Sequence, residues 1–227
     1  MNFNITEDIF LISDSHFGHK AVLKREPSRL QYAKACKYDD FYALHRDLWN
    51  KAVGKKDNVL HLGDLYFDGG LPYLKDLKGT KTLVIGNNDI KTFQKLKDFK
   101  SWYVQKGLRL NIAQKDRVLY TLQSEFGKAR LKDDIYVNAI VQDIAGERIM
   151  FSHFPVFNRK TNDRFSESRD ILDRLFKLAD CSLNIHGHIH SRQCEHSFCF
   201  NVSCEQLGFA PKRLSEILKL VRYKIHI

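Results

Sequence analysis

No apolar stretch in this chain approaches the roughly 18 residues that a membrane span needs. The first residues, Met1-Asn2-Phe3-Asn4, lack a charged segment followed by an apolar one, so nothing suggests secretion. Cysteine is sparse and unpaired in pattern: positions 36, 181, 194, 199 and 204 are an odd number and contain no CxxC. Reduced thiols and a cytoplasmic setting are the expectation. Internal repeats, low-complexity tracts and Ser/Gly-rich linkers are missing as well, and 227 residues suffice for one well-buried core. One domain over 1–227 is therefore expected. Helix-turn-helix, RNA-recognition and zinc-finger patterns are not found.

What the chain does have is positive charge, with 37 Lys/Arg against 27 Asp/Glu. Between Lys75 and Lys132 there are 14 Lys/Arg and 5 Asp/Glu, a local excess of 9 that nearly accounts for the net +10. Such a run is either a solvated face or a surface attracting polyanions, nucleotides and nucleic acid included. Charge alone does not make this a nucleic-acid enzyme.

Apolar runs alternate with helical patterns. Asp39 can cap a helix reaching about Val53, with Phe41, Leu44, Leu48 and Ala52 on one face. A short helix is expected around Pro72 to Leu77, then Gly79 and another strand, a βαβ rhythm. From Trp102 onward the pattern reads as a meander of short strands at Leu108–Ile112, Val118–Tyr120, Ile135–Val137 and Ile149–Phe151. Ser168–Lys177 suits a helix, Phe198–Val202 a last strand, and Leu214, Ile217 and Leu218 a closing amphipathic helix.

Five polar blocks stand in order: Asp14-Ser15-His16, Gly63-Asp64, Gly86-Asn87-Asn88-Asp89, Ser152-His153 and Gly187-His188-Ile189-His190. Each closes an apolar run, as loops at strand ends do, and such loops converge on one edge of an α/β sheet. Together they offer seven oxygen and imidazole ligands, enough for two metal ions sharing one carboxylate. No block contains cysteine, which favours Mn²⁺, Fe²⁺ or Zn²⁺ over thiolate-bound metals, with Mn²⁺ foremost. The two-apart pairs Asp14/His16 and His188/His190 would each face one site if their backbone were extended.

This ordered set resembles the calcineurin-like metallophosphoesterases, whose motifs are DxH, GD, GNH(D/E), H and GHxH. The resemblance implies a four-layer α-β-β-α sandwich of two mixed sheets flanked by helices. It implies one ion on Asp14, His16, Asp64 and His190, and another on Asp64, Asn87, His153 and His188. Two ions roughly 3.5–4 Å apart clamp a phosphate and activate a bridging hydroxide for in-line attack on phosphorus.

One position departs from the pattern. Asn88 stands where the family has a histidine placed to help expel the leaving group. Asn88 and Asp89 remain in the catalytic block, but an amide cannot deliver a proton. Either the chain acts on diesters with stable leaving groups, or His19, three residues after His16, stands in as the acid. Arg159, Lys160 and Arg164, downstream of His153, are candidates for binding substrate phosphate or a flanking nucleotide, or form an exposed loop. His186 is expected to support the fold rather than ligate. The late cysteines, near His196, read as strand-core residues better than as a zinc knuckle. The leading expectation is a dinuclear phosphodiesterase acting on a cyclic or small nucleotide diester or a nucleic-acid end. A phosphomonoesterase and a non-catalytic metal-bound scaffold for nucleic acid or protein are the alternatives.

Overall fold

A computed structural model describes residues 5–159 and 162–225. Among the described residues, ten strands form two sheets. The first contains β1 (Phe10–Ile12), β2 (Asn58–His61), β3 (Thr80–Val84), β4 (Trp102–Gln105) and β10 (Lys212–Arg213). Its order is β10-β1-β2-β3-β4, parallel except for β10. The second contains β5 (Leu108–Asn111), β6 (Ala139–Ile144), β7 (Glu147–Ser152), β8 (Leu183–His186) and β9 (Cys199–Asn201), in chain order. Only its β6–β7 pair is antiparallel.

The helices are α1 (Lys20–Arg25), α2 (Ser28–Ala35), α3 (Phe41–Ala52), α4 (Leu71–Lys75), α5 (Lys115–Phe126), α6 (Lys128–Asp133), α7 (Ser166–Leu178) and α8 (Leu214–Ile225). None among the described residues is long and apolar enough to cross a membrane. Alternation along the strands of the second sheet divides its side chains between two cores. Ile140, Ile149, Phe151 and Ile185 pack with Leu11, Leu60 and Leu83 of the first sheet and with Trp49 of α3 and Ile217 of α8. Val141 and Met150 instead join Val118 and Leu122 of α5 and Ile171, Leu172 and Leu175 of α7. Two mixed sheets with helices outside are the architecture expected.

Local expectations needed correction in several places. The region after Trp102 is not a meander, since β5–β6 and β7–β8 are parallel, and the strand at Cys199–Asn201 is followed by a later one, β10. The cap of α3 is Asp40, whose carboxylate accepts from Tyr42 N at 2.9 Å, one residue beyond Asp39. The short helix covers Leu71–Lys75 and stops before Leu77. Val118–Tyr120 lies within α5, because Val118 and Leu122 bury one helical stripe while Tyr120 is 75% exposed. Ile135–Val137 is a turn, anchored by Asp134 Oδ1 accepting from Tyr136 N, and the strand begins at Ala139.

Candidate metal centre

All five polar blocks lie at the carboxyl ends of β1, β2, β3, β7 and β8, and they bring the candidate ligands to one edge. The sheets meet there, since Ser13, just past β1, bridges Ser203, just past β9 of the second sheet. The paired ligands do not face one way through extended backbone. Asp14, His16, Asp64, His188 and His190 have φ of 56°, 48°, 57°, 70° and 53°. Non-glycine residues rarely enter this left-handed region, and each such residue costs about 1–3 kcal/mol unless its surroundings hold it. Backbone bonds hold it here: Asp14 N donates to Gly63 O and His16 N to Asp64 O, both at 3.0 Å. Two glycines let the loops close. A Cβ on Gly63 would sit 2.6 Å from His153 Nδ1, and one on Gly187 would sit 2.4 Å from Asp14 Oδ2.

The side chains divide their polar atoms between protein and a shared space. Asp14 Oδ2 accepts from Ser203 Oγ at 3.0 Å and from His188 N at 2.9 Å. Its Oδ1 is buried without a hydrogen-bond partner and lies 3.8 Å from Nε2 of both His16 and His190. His16 Nε2 is likewise buried and unpartnered. Asp64 offers one oxygen to each side, Oδ2 at 3.5 Å from His16 Nε2 and Oδ1 at 3.6 Å from His153 Nε2. His153 Nδ1 bonds the Leu62 carbonyl, which can only accept. In a neutral ring Nε2 is then a lone pair, and it faces Asn87 Oδ1 at 3.0 Å. His188 packs against His153, with ring centroids 5.1 Å apart.

Electrostatics agree with this division. Burial alone would raise the Asp14 carboxyl, yet the His190, His16 and His153 rings hold it well below the usual carboxylate range. Burial and the neighbouring His153 push His188 well below the ordinary histidine value. His190 is held at about 9 against its burial by Asp14 and Glu205.

Behind the ligands are groups that the sequence did not reveal. Glu205 Oε1 lies 3.1 Å from His190 Nδ1 and accepts from Arg29 at 2.5 and 2.8 Å. The fully buried Arg29 also donates to the carbonyls of Asp14 and Ser15. Ser15 Oγ sits between His45 Nε2 at 3.0 Å and His61 Nε2 at 2.9 Å, fixing the first loop from below. Arg29 and Glu205 are 176 positions apart, a separation that leaves no local signature.

Asp89 belongs to this supporting layer. Its buried carboxylate accepts from Asp64 N, Leu65 N and Gly86 N at 2.7, 2.9 and 2.8 Å, tying the second block to the third. Asn88 does reach the cleft: its Nδ2 donates to Asp64 Oδ2 at 2.5 Å and its N to Asp64 Oδ1 at 2.8 Å. His19 also lines the cleft, but its Nδ1 is engaged with His16 Nδ1 at 3.2 Å and its ring stacks on Phe67. Burial and the His16 ring push His19 down to about 4.

The cleft holds about 550 Å³ and is rimmed by Arg25, Arg164 and Arg192 together with Glu26 and Phe165. Among the described residues these three arginines make no ion pair. Arg164, a sequence candidate, lines this cleft together with Arg25 and Arg192, which the sequence did not single out. Arg159 is elsewhere, paired with Asp170 and Asp173 beside α7 and lining a different surface hollow. Lys160 lies outside the described residues. None of the cleft arginines comes from the basic 75–132 stretch, and Lys95 and Arg130 of that stretch pair with Asp68 and Glu167.

The sequence profile of the calcineurin-like phosphoesterases matches residues 8–192, a span containing every block. The chain belongs to this family. Its hydrolytic chemistry on phosphoric esters depends on divalent metals, and the clusters Asp14–His16–His190 and Asp14–Asp64–His153 are candidate ligand groups. A solved protein of unknown function from Aquifex aeolicus has the same fold at TM-score 0.66 and 23% identity, covering 93% of this chain and 98% of that one. A novel archaeal phosphodiesterase aligns at TM-score 0.38 and 15% identity, over 86% of this chain and 81% of its own. A conserved uncharacterised protein from Streptococcus pneumoniae, a predicted phosphoesterase, aligns at 0.34 and 15%, over 86% and 70%. Among curated proteins, none matches. The residues of this phosphoesterase fit a metal. Asp14 Oδ1 and His16 Nε2 are buried, unpartnered and close enough to share an ion at ordinary ligand distances of about 2.0–2.2 Å.

Proposed function

We propose that this phosphoesterase hydrolyses a phosphodiester using two divalent ions, Mn²⁺ foremost, with Asp64 between them. Asp14, His16, Asp64 and His190 would hold one ion, and Asp64, Asn87, His153 and His188 the other. When bound, the ions would supply a water of lowered pKa and clamp the charge on the phosphoryl oxygens. The observation that carries the reading is Asp64, whose two carboxylate oxygens stand 3.5 and 3.6 Å from imidazoles of opposite ligand groups. A carboxylate divided in this way is suited to bridging.

Preference for diesters rests on Asn88. Its amide steadies Asp64 by two hydrogen bonds and presents a donor, but no transferable proton, to the cleft. His19 is a poor stand-in for the missing acid on this reading, because burial and the His16 ring push it down to about 4, so its ring carries little protonated form near neutral pH. Leaving groups that need no protonation, such as aryl or strained cyclic phosphodiesters, are favoured accordingly. Arg25, Arg164 and Arg192 can take the non-reacting phosphate of a small or cyclic nucleotide diester or of a nucleic-acid end. The five free thiols suit a reducing, cytoplasmic compartment.

The test is a series of diesters with leaving groups of rising pKa, assayed with Mn²⁺. A steep fall in rate is expected. A flat response would mean that an acid is present and would remove the argument from Asn88.

A further inference from the structure

A second set of ligating atoms comes together behind the metal edge, from residues that sequence spacing did not connect. One ligand atom each from His186, Cys194 and Cys199 lies within 4.8 Å of the others. The sequence grouped these cysteines with His196, but His196 Nε2 sits 3.3 Å from the Phe157 carbonyl, and His186 at the end of β8 takes its place.

His186 is fully buried, and its Nδ1 lies 2.9 Å from the Gly187 carbonyl. That oxygen can only accept, so in a neutral ring Nδ1 carries the proton and Nε2 is a lone pair. The Nε2 atom is buried with no hydrogen-bond partner. A ring nitrogen freed in this way, its opposite N–H fixed on a carbonyl, is the arrangement of a metal-ligating histidine. Cys194 and Cys199 are free thiols, both half-buried, and both line a surface cavity of about 540 Å³. They are therefore not ordinary core cysteines.

We propose that His186, Cys194 and Cys199 hold one further divalent ion of the zinc class, separate from the Asp64 centre, with solvent from the cavity completing a tetrahedron. Two thiolates and an imidazole select a borderline-soft ion over Mn²⁺ or Mg²⁺. The ion would act on structure. Residues 191–198 loop between the GHxH block and β9, and Asn201 Nδ2 already ties this loop by donating to the carbonyls of His190 and Arg192. Fastening Cys194 and Cys199 to His186 closes the loop at its other side, setting the Arg192 position at the cleft rim.

The test loads fully reduced protein with Co²⁺ and reads the thiolate-to-cobalt charge-transfer band in the near ultraviolet. The band is expected in the wild-type protein and in Asp64→Asn, and in Cys181→Ser, which removes a thiol outside the cluster. It is expected to vanish in Cys194→Ser/Cys199→Ser, whose folding is checked by circular dichroism. No band in the wild-type protein, or a band surviving the double substitution, would overturn the proposal. So would a Cys194–Cys199 disulfide in place of bound metal in protein purified without added reductant, read by peptide mass spectrometry. Because the readout is not turnover, failure of the phosphodiesterase reading leaves it unaffected.

Discussion

Replacing Arg29 by Met should cost more stability than any substitution at the cleft rim. The guanidinium is 0% exposed and the Glu205 side chain 2%, so water cannot replace either partner. Arg29 satisfies one carboxylate oxygen twice and the carbonyls of Asp14 and Ser15 once each. Burial would raise the Glu205 carboxyl, yet the His190 hydrogen bond and the Arg29 charge hold it at about 2. Stranding one partner of such a buried pair costs about 3–5 kcal/mol. At roughly 2–4 °C per kcal/mol for a chain of this size, Tm should fall by about 6–20 °C. The companion Glu205→Leu strands the arginine instead. The double variant should recover the charge contribution while leaving two bare carbonyls, so it should lie above the sum of the single effects by at least about 2 kcal/mol. Thermal and urea unfolding of metal-stripped protein would measure this without a contribution from ligand binding. A shift under about 2 °C for Arg29→Met, or strict additivity in the cycle, would refute the reasoning.

Other consequences follow from the same contacts. Glu205→Gln should weaken metal affinity about 10–100-fold by loosening His190, measured by competition with a chromophoric chelator. Gly187→Ala should lose tight metal binding, because its methyl carbon would lie 2.0 Å from Ser13 Oγ and 2.4 Å from Asp14 Oδ2; unchanged metal titration would contradict this. Asn88→His should raise turnover of alkyl diesters by about 10–100-fold while leaving aryl diesters nearly unchanged, read as the ratio of kcat/KM values. His45 and His61 are pushed down to about 4 and about 3, chiefly by burial. The unfolded chain therefore binds more protons than the folded one between pH 6.5 and these values. Stability should be intact above pH 6.5 and fall below it by up to about 1.4 kcal/mol per pH unit for each ring. Urea midpoints for His45→Gln against wild type across pH 4–7 would show whether that slope lessens.

Much of this site was written in the chain order of five short blocks, because each ligand follows directly on a buried strand whose apolar run is visible. The geometry behind the pairing was not. Asp14/His16 and His188/His190 converge through left-handed backbone, which depends on contacts from Gly63, Asp64 and Ser203. Val118–Tyr120 misled because β-branched and aromatic residues suit strands, while the Val118/Leu122 stripe that marks the helix spans a longer window. Arg29–Glu205 and the His186–Cys194–Cys199 group escaped notice because their partners meet only when separate elements pack. Arg159 sat in the expected loop, but two carboxylates on α7 claim it.

The most direct measurement compares bis-(p-nitrophenyl) phosphate with p-nitrophenyl phosphate on metal-stripped protein reconstituted with Mn²⁺. Both release the same leaving group, so the ratio isolates diester from monoester preference. Diester turnover well above monoester turnover, lost in Asp64→Asn, is the predicted result. Equal or greater monoester turnover, or full activity in Asp64→Asn with both ions still bound, would contradict the account.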